Sequence, residues 1–146
     1  MSALKLVLWG FLAVLGSVAL AFVVGLINPQ EKVNGLWLVV AAACIYVLAF
    51  RFYGRWISRR VVELNDQRVT PAIRLNDGIN FHPTNKYVLF GHHFAAIAGA
   101  GPLLGPVLAA QFGFLPGFLW LVIGAVLAGA VQDFIILVAS MRRNGR

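Results

Sequence analysis

The sequence predicts an all-α integral membrane fold with four transmembrane helices, the third of them broken. Three observations predict it. Hydrophobic residues make up 60% of the 146 residues and charged residues only 12%, whereas a soluble domain is about half apolar and about a quarter charged. The apolar residues gather in four runs, each close to the ~20 residues that cross a bilayer. The third run holds Gly99, Gly101, Pro102, Gly105 and Pro106 within eight residues. The same composition excludes intrinsic disorder, whose signature is low hydrophobicity. A single cysteine, Cys44, excludes an intrachain disulfide framework and a cysteine-rich zinc site.

The first run, Leu6 to Ile27, has no charged residue and is long enough to span. Ala19-Leu20-Ala21 resembles a signal-peptide cleavage site, but the apolar run continues six residues past it, further than a signal sequence requires. Gly10, Ala13, Ser17, Ala21 and Gly25 recur at spacings of three or four. They form a stripe of small residues of the kind that lets membrane helices approach closely. Asn28-Pro29-Gln30-Glu31-Lys32 is a short polar connection.

The second run, Val33 to Phe50, ends in Arg51, Phe52, Tyr53, Arg55 and Trp56. Aromatic residues belong at headgroup level, with arginine beyond them. If the helix continues, Arg51, Arg55 and Arg59 share a face. Two readings stand: an interfacial extension lying on anionic lipid, or a helix end carrying positive-inside charge. Residues 51–87 form the polar, basic centre of the chain. Thr70-Pro71, Asn76-Asp77-Gly78 and His82-Pro83-Thr84-Asn85 are its turn signals. Scattered apolar residues predict that it packs on the membrane part of the chain.

The third span is expected over about 92–113. Each proline removes an amide donor and disfavours helix in the residue before it. Unpaired backbone is tolerated at membrane depth only inside protein or beside a polar cavity. Two readings follow for Gly99–Pro106: a cavity-lining break that faces substrate or ion, or tight packing with a proline kink. Gln111 closes the segment as a further polar candidate. The fourth span, about 118–140, carries Gln132 and Asp133. A carboxylate inside an apolar span is costly and faces the bundle interior or water. Ala125, Gly129 and Asp133 are spaced to share a face, with Gly124, Ala128 and Gln132 beside it. Asp133 is read either as a proton or cation relay or as a structural partner, for example of an arginine.

His92 and His93 are adjacent and point in different directions from a helix. They lack the i, i+4 spacing of a helical metal site, so the expectation is a hydrogen-bonding or pH-responsive role at the membrane entrance and no metal. Nothing in the sequence matches a nucleophile–base constellation, a phosphate loop or a haem-attachment motif. The chain is therefore expected to be no enzyme and to need no cofactor.

Charge sets the topology. Lys+Arg total 12 and Asp+Glu total 5, for a net +7. The basic residues flank apolar spans and form no groove-reading motif, which argues against nucleic acid. With four crossings and the N-terminus in the cytoplasm, eleven of the twelve lie on the cytoplasmic side and only Lys32 lies outside. That is the positive-inside pattern, with both termini cytoplasmic.

The run Phe90-Gly-His-His-Phe-Ala-Ala-Ile-Ala-Gly-Ala-Gly-Pro-Leu-Leu-Gly-Pro-Val-Leu-Ala-Ala-Gln111 closely resembles the carbon starvation protein A (CstA) family. So do Leu127-Ala-Gly-Ala-Val-Gln-Asp-Phe134, Arg51-Phe-Tyr-Gly54, Thr70-Pro-Ala72 and Asn76-Asp-Gly78. The resemblance covers nearly the whole chain from about Val33. It implies a secondary transporter of the bacterial inner membrane that takes up peptides or pyruvate when carbon runs short, with a coupling cation expected to be a proton. It also implies inverted repeats and broken helices. Family members are much longer, so residues 1–146 resemble the N-terminal portion of such a transporter. The remaining helices, membrane lipid or a second copy are then the expected partners. The competing expectation is a small membrane interaction protein, or a truncated piece, that transports nothing alone.

Overall fold

The computed structural model describes residues 3–27, 29 and 34–145. Asn28, Gln30 to Val33 and Arg146 lie outside the described residues, and with them Lys32, expected outside, most of the polar connection and the last arginine expected in the cytoplasm. The described residues are helical and contain no strand. The helices are α1 (Ala3–Val23), α2 (Gly35–Val61), α3 (Pro71–Arg74), α4 (Lys86–Ile97), α5 (Ala100–Phe112) and α6 (Phe114–Arg142). Among them α1, α2 and α6 are each long and apolar enough to cross a membrane, and the bent pair α4–α5 makes a fourth crossing if it is one span. The chain is thus an all-α, multi-pass membrane protein. It packs as two units, residues 1–63 with 118–131, and residues 64–117 with 132–146.

In the first unit α1 and α2 are antiparallel neighbours. Trp9 meets Phe52 edge-on at 5.6 Å and Phe22 stacks on Trp37 at 4.8 Å. Between these aromatic ends the contact is made of small residues. Gly16, Ala19, Val23, Ala41 and Cys44 are buried, and a Cβ on Gly16 would stand 2.8 Å from Cys44 Cβ. Lipid tails are as apolar as leucine, so close van der Waals approach holds membrane helices together. The stripe expected at Gly10, Ala13 and Ser17 is not this contact: all three are exposed. The packed face is the neighbouring one, where Gly16 and Ala19 meet equally small partners. Tyr46 adds a long hydrogen bond, its hydroxyl donating to the Leu121 carbonyl at 3.5 Å.

The start of α2 is fixed by Asn34, whose side chain accepts from the Leu36 amide at 2.9 Å. Its end differs from the hydropathy reading. The apolar run stops at Phe50, but the helix continues to Val61 through π-helical turns at Phe50–Gly54 and Ile57–Val61. Hydropathy marks where hydrocarbon ends, and arginine and aromatic side chains carry a helix past that point.

In the second unit, residues 64–85 fold onto the last turn of α6. That helix ends in a Schellman turn: Asn144 is left-handed (φ 64°) and the Gly145 amide donates to the Ser140 carbonyl at 2.8 Å. The Arg68 guanidinium donates to the Arg142 carbonyl at 3.2 Å, a cation at the negative end of the helix dipole. Arg74 donates to the Asn144 side chain. Gly145 lies so close to Phe81 that a Cβ would meet its ring at 2.8 Å. The loop is held by Asp77, whose carboxylate accepts from the amides of Ile79, Asn80 and Phe81 at 2.8–2.9 Å. Those bonds, foremost those from Phe81 and Ile79, pull its pKa from 3.8 to about 2.

Two predictions follow from this packing. Gly16→Leu forces a side chain into Cys44 at a cost of about 1–3 kcal/mol. The buried thiol should then react faster with a membrane-permeant maleimide, and an unchanged labelling rate would contradict the contact. The lowered pKa of Asp77 makes the loop acid-sensitive. Its contribution is complete above pH 3.8 and is lost as the pH falls through about 2. Amide exchange should show Ile79, Asn80 and Phe81 losing protection across that window, and Asp77→Ala should remove it at every pH.

Candidate site at the broken span

Helix α4 begins at Asn85, whose side chain accepts from the Tyr87 amide at 2.9 Å. It ends when Ala98 leaves helical geometry (ψ 37°) and Gly99 turns extended (ψ −178°). The axis bends by 48° before α5 begins at Ala100. The interruption is therefore narrower than the Gly99–Pro106 stretch. Gly101, Pro102, Gly105 and Pro106 all lie within α5.

Helix-terminus chemistry explains why Pro102 is tolerated. Pro102 is the third residue of α5, where an amide would have no partner within the helix. Pro106 lies deeper and has no amide to offer the carbonyl of Pro102, four residues earlier. Gly99 caps α5 without a side-chain acceptor, so the amides of Ala100 and Gly101 receive nothing from the cap. The span thus has helix-start amides without intrahelical acceptors at the bend and, one turn on, a Pro102 carbonyl that lacks its i+4 donor. The donors suit an anionic group and the acceptor suits a cation.

Six residues before Gly99, roughly 9 Å along a helix, stands His93. Its Nε2 lies 3.6 Å from Asp133 Oδ2, with both side chains about half exposed. This is an ion pair when the imidazole is protonated. At that separation it is too long for a direct hydrogen bond. The arginine expected as a partner for Asp133 gives way here to a histidine forty residues earlier in the chain. His92 and Gln132 are exposed, and no hydrogen bond among the described residues ties them to the pair. Gln111 is exposed in a tight 3-10 turn at the far end of α5, a dozen residues from the bend. Gly113, with φ 104°, then reverses the chain into α6, a conformation that side-chain-bearing residues rarely adopt.

The expected face of Ala125, Gly129 and Asp133 is also altered. Ala125–Gly129 is a π-helical turn, with the Ala130 amide bonded to the Ala125 carbonyl. Its longer hydrogen-bonded loop departs from the regular α geometry on which that face was drawn.

Comparison with known proteins gives consistent results. The family model described as Carbon starvation protein CstA matches residues 34–146. A peptide transporter CstA of Escherichia coli (strain K12) is 57% identical over 142 residues, which is 97% of this chain and 20% of that protein. The pyruvate/proton symporter BtsT of the same strain is 56% identical over 137 residues, 94% of this chain and 19% of that protein. A peptide transporter CstA of Bacillus subtilis (strain 168) is 58% identical over 113 residues, 77% of this chain and 19% of that protein. No solved structure matches the chain. The chain spans about a fifth of the length of the curated relatives it matches. By the family model and these identities, it belongs to the carbon starvation protein CstA family.

Proposed function

We propose that this chain is the N-terminal portion of a CstA-type secondary transporter of the bacterial inner membrane, that it moves peptides or pyruvate, and that it supplies the proton-coupling pair. The observation that carries this reading is the approach of His93 to Asp133 at 3.6 Å, on the same unit as the bent span. Deprotonated, the pair bears one negative charge. With a proton on the imidazole it is neutral overall, and a neutral pair moves through an apolar environment at lower cost than a charged one. Proton loading therefore changes which conformation of the span is favoured.

Substrate recognition is assigned to the bend. Pyruvate and the C-terminus of a peptide are both carboxylates, and the amides of Ala100 and Gly101 are donors at the positive end of α5. The names of the relatives, peptide transporter and pyruvate/proton symporter, support both substrates and the proton. The basic residues of the 51–87 region and of the α6 end support a topology with both termini in the cytoplasm.

The test is transport by the whole transporter containing these residues, reconstituted in vesicles. Asp133→Asn should lower uphill uptake of labelled pyruvate or dipeptide driven by a pH gradient by at least about tenfold, equivalent to about 1.4 kcal/mol. It should leave exchange of internal for external substrate largely intact, because exchange needs no net proton movement. His93→Gln should flatten the pH dependence of uptake. Unchanged uptake and pH dependence in both variants would remove the pair from the mechanism.

A further inference from the structure

We propose that the Phe50–Val61 end of α2 is a docking face for anionic phospholipid headgroups. The argument starts from length. Helix α2 has 27 residues, about 40 Å at about 1.5 Å each, against about 30 Å of hydrocarbon. Its last two turns therefore stand at headgroup level and beyond. Those turns carry Arg55, Arg59 and Arg60, with Arg51 one turn before them. Arg55, Arg59 and Arg60 are exposed, and no carboxylate among the described residues pairs with any of the four.

Helix geometry gathers the charge. A π-helical turn holds more residues than the 3.6 of an α-helix, so residues four apart stay more nearly in line. The turns at Phe50–Gly54 and Ile57–Val61 thus hold Arg51, Arg55 and Arg59 along one edge. Apolar rings accompany them: Phe52 and Trp56 are 51% and 54% exposed, the pairing of ring and cation that suits the boundary between acyl chains and phosphate.

The segment is also held in place. The Arg51 guanidinium lies 5.7 Å over the Trp9 ring of α1, and Trp9 in turn meets Phe52. Tyr53 stacks on Trp56 at 6.1 Å. A fixed row of arginines with a ring at its base loses little freedom when a phosphodiester binds, and arginine matches phosphate oxygens in bidentate geometry. The occupant fitted by all these features is a lipid, because a free anion would make no use of the exposed rings.

The test uses the purified protein in phosphatidylcholine vesicles with trace spin-labelled phosphatidylglycerol or spin-labelled phosphatidylcholine. The immobilised fraction of each label gives their relative affinity. Phosphatidylglycerol should be preferred by at least about fivefold, the factor for one arginine at an anionic surface. R55Q/R59Q/R60Q should bring the two lipids to near parity. K5Q/K86Q/R143Q, which removes equal charge elsewhere, should keep most of the preference. Equal immobilisation of the two lipids by the unsubstituted protein overturns the proposal, as does an equal fall in the two triple variants. Displacement of phosphatidylglycerol by millimolar inorganic phosphate also overturns it, since the face would then be a free-anion site.

Discussion

Backbone hydrogen bonding is the constraint on which this structure depends. In hydrocarbon an unpaired amide or carbonyl costs several kcal/mol, roughly, so every departure from regular helix within a span must be compensated. The chain departs at two kinds of place. Between α4 and α5 it stops one helix and starts another, which leaves donors and an acceptor without partners inside the helix. In α2 and α6 it widens to π-helical turns, which keep the amides bonded with a longer loop. The first kind leaves backbone amides without intrahelical partners and the second avoids this. That contrast sets the α4–α5 bend apart as the part of the fold with chemistry to offer.

Packing within the chain follows from the same setting. Between its aromatic ends the α1–α2 contact is made where Gly16 meets Cys44 and Ala19 and Ala41 are buried, while other large side chains of α1, such as Phe11 and Val14, stay exposed. A structure of this kind buries little on its own. Membrane helices can present leucine and phenylalanine to lipid without penalty, whereas soluble helices cannot. The relatives are about five times as long.

Composition and run length were enough to read the helical class, the membrane setting and the exceptional character of the third span. The motif around Gly99–Pro106 was specific enough to indicate the family. Four features were not fully legible, each for a physical reason. The extension of α2 to Val61 stood only as one of two readings, because hydropathy reports solvent and not backbone geometry. The position of the bend was blurred because proline breaks a helix interior but is harmless in a first turn, and only the start at Ala100 shows which case Pro102 represents. The pairing of His93 with Asp133 depends on a contact across forty residues, for which no local spacing is a signal. The clamp of Arg68, Arg74 and Phe81 on the end of α6 was hidden for the same reason, although the scattered apolar residues of that region did indicate that it packs.

The π-helical turn at Ala125–Gly129 has a consequence for the carboxylate that follows it. Such a turn takes in one residue more than α geometry needs, and that residue is slack within the helix. Because each residue turns an α-helix by about 100°, the slack decides which side of α6 bears Asp133. Taken up, it would swing the carboxylate away and present a neighbouring side chain to His93. The acid's partner is thus chosen as much by the five residues Ala-Val-Leu-Ala-Gly upstream of it as by the position of the aspartate itself.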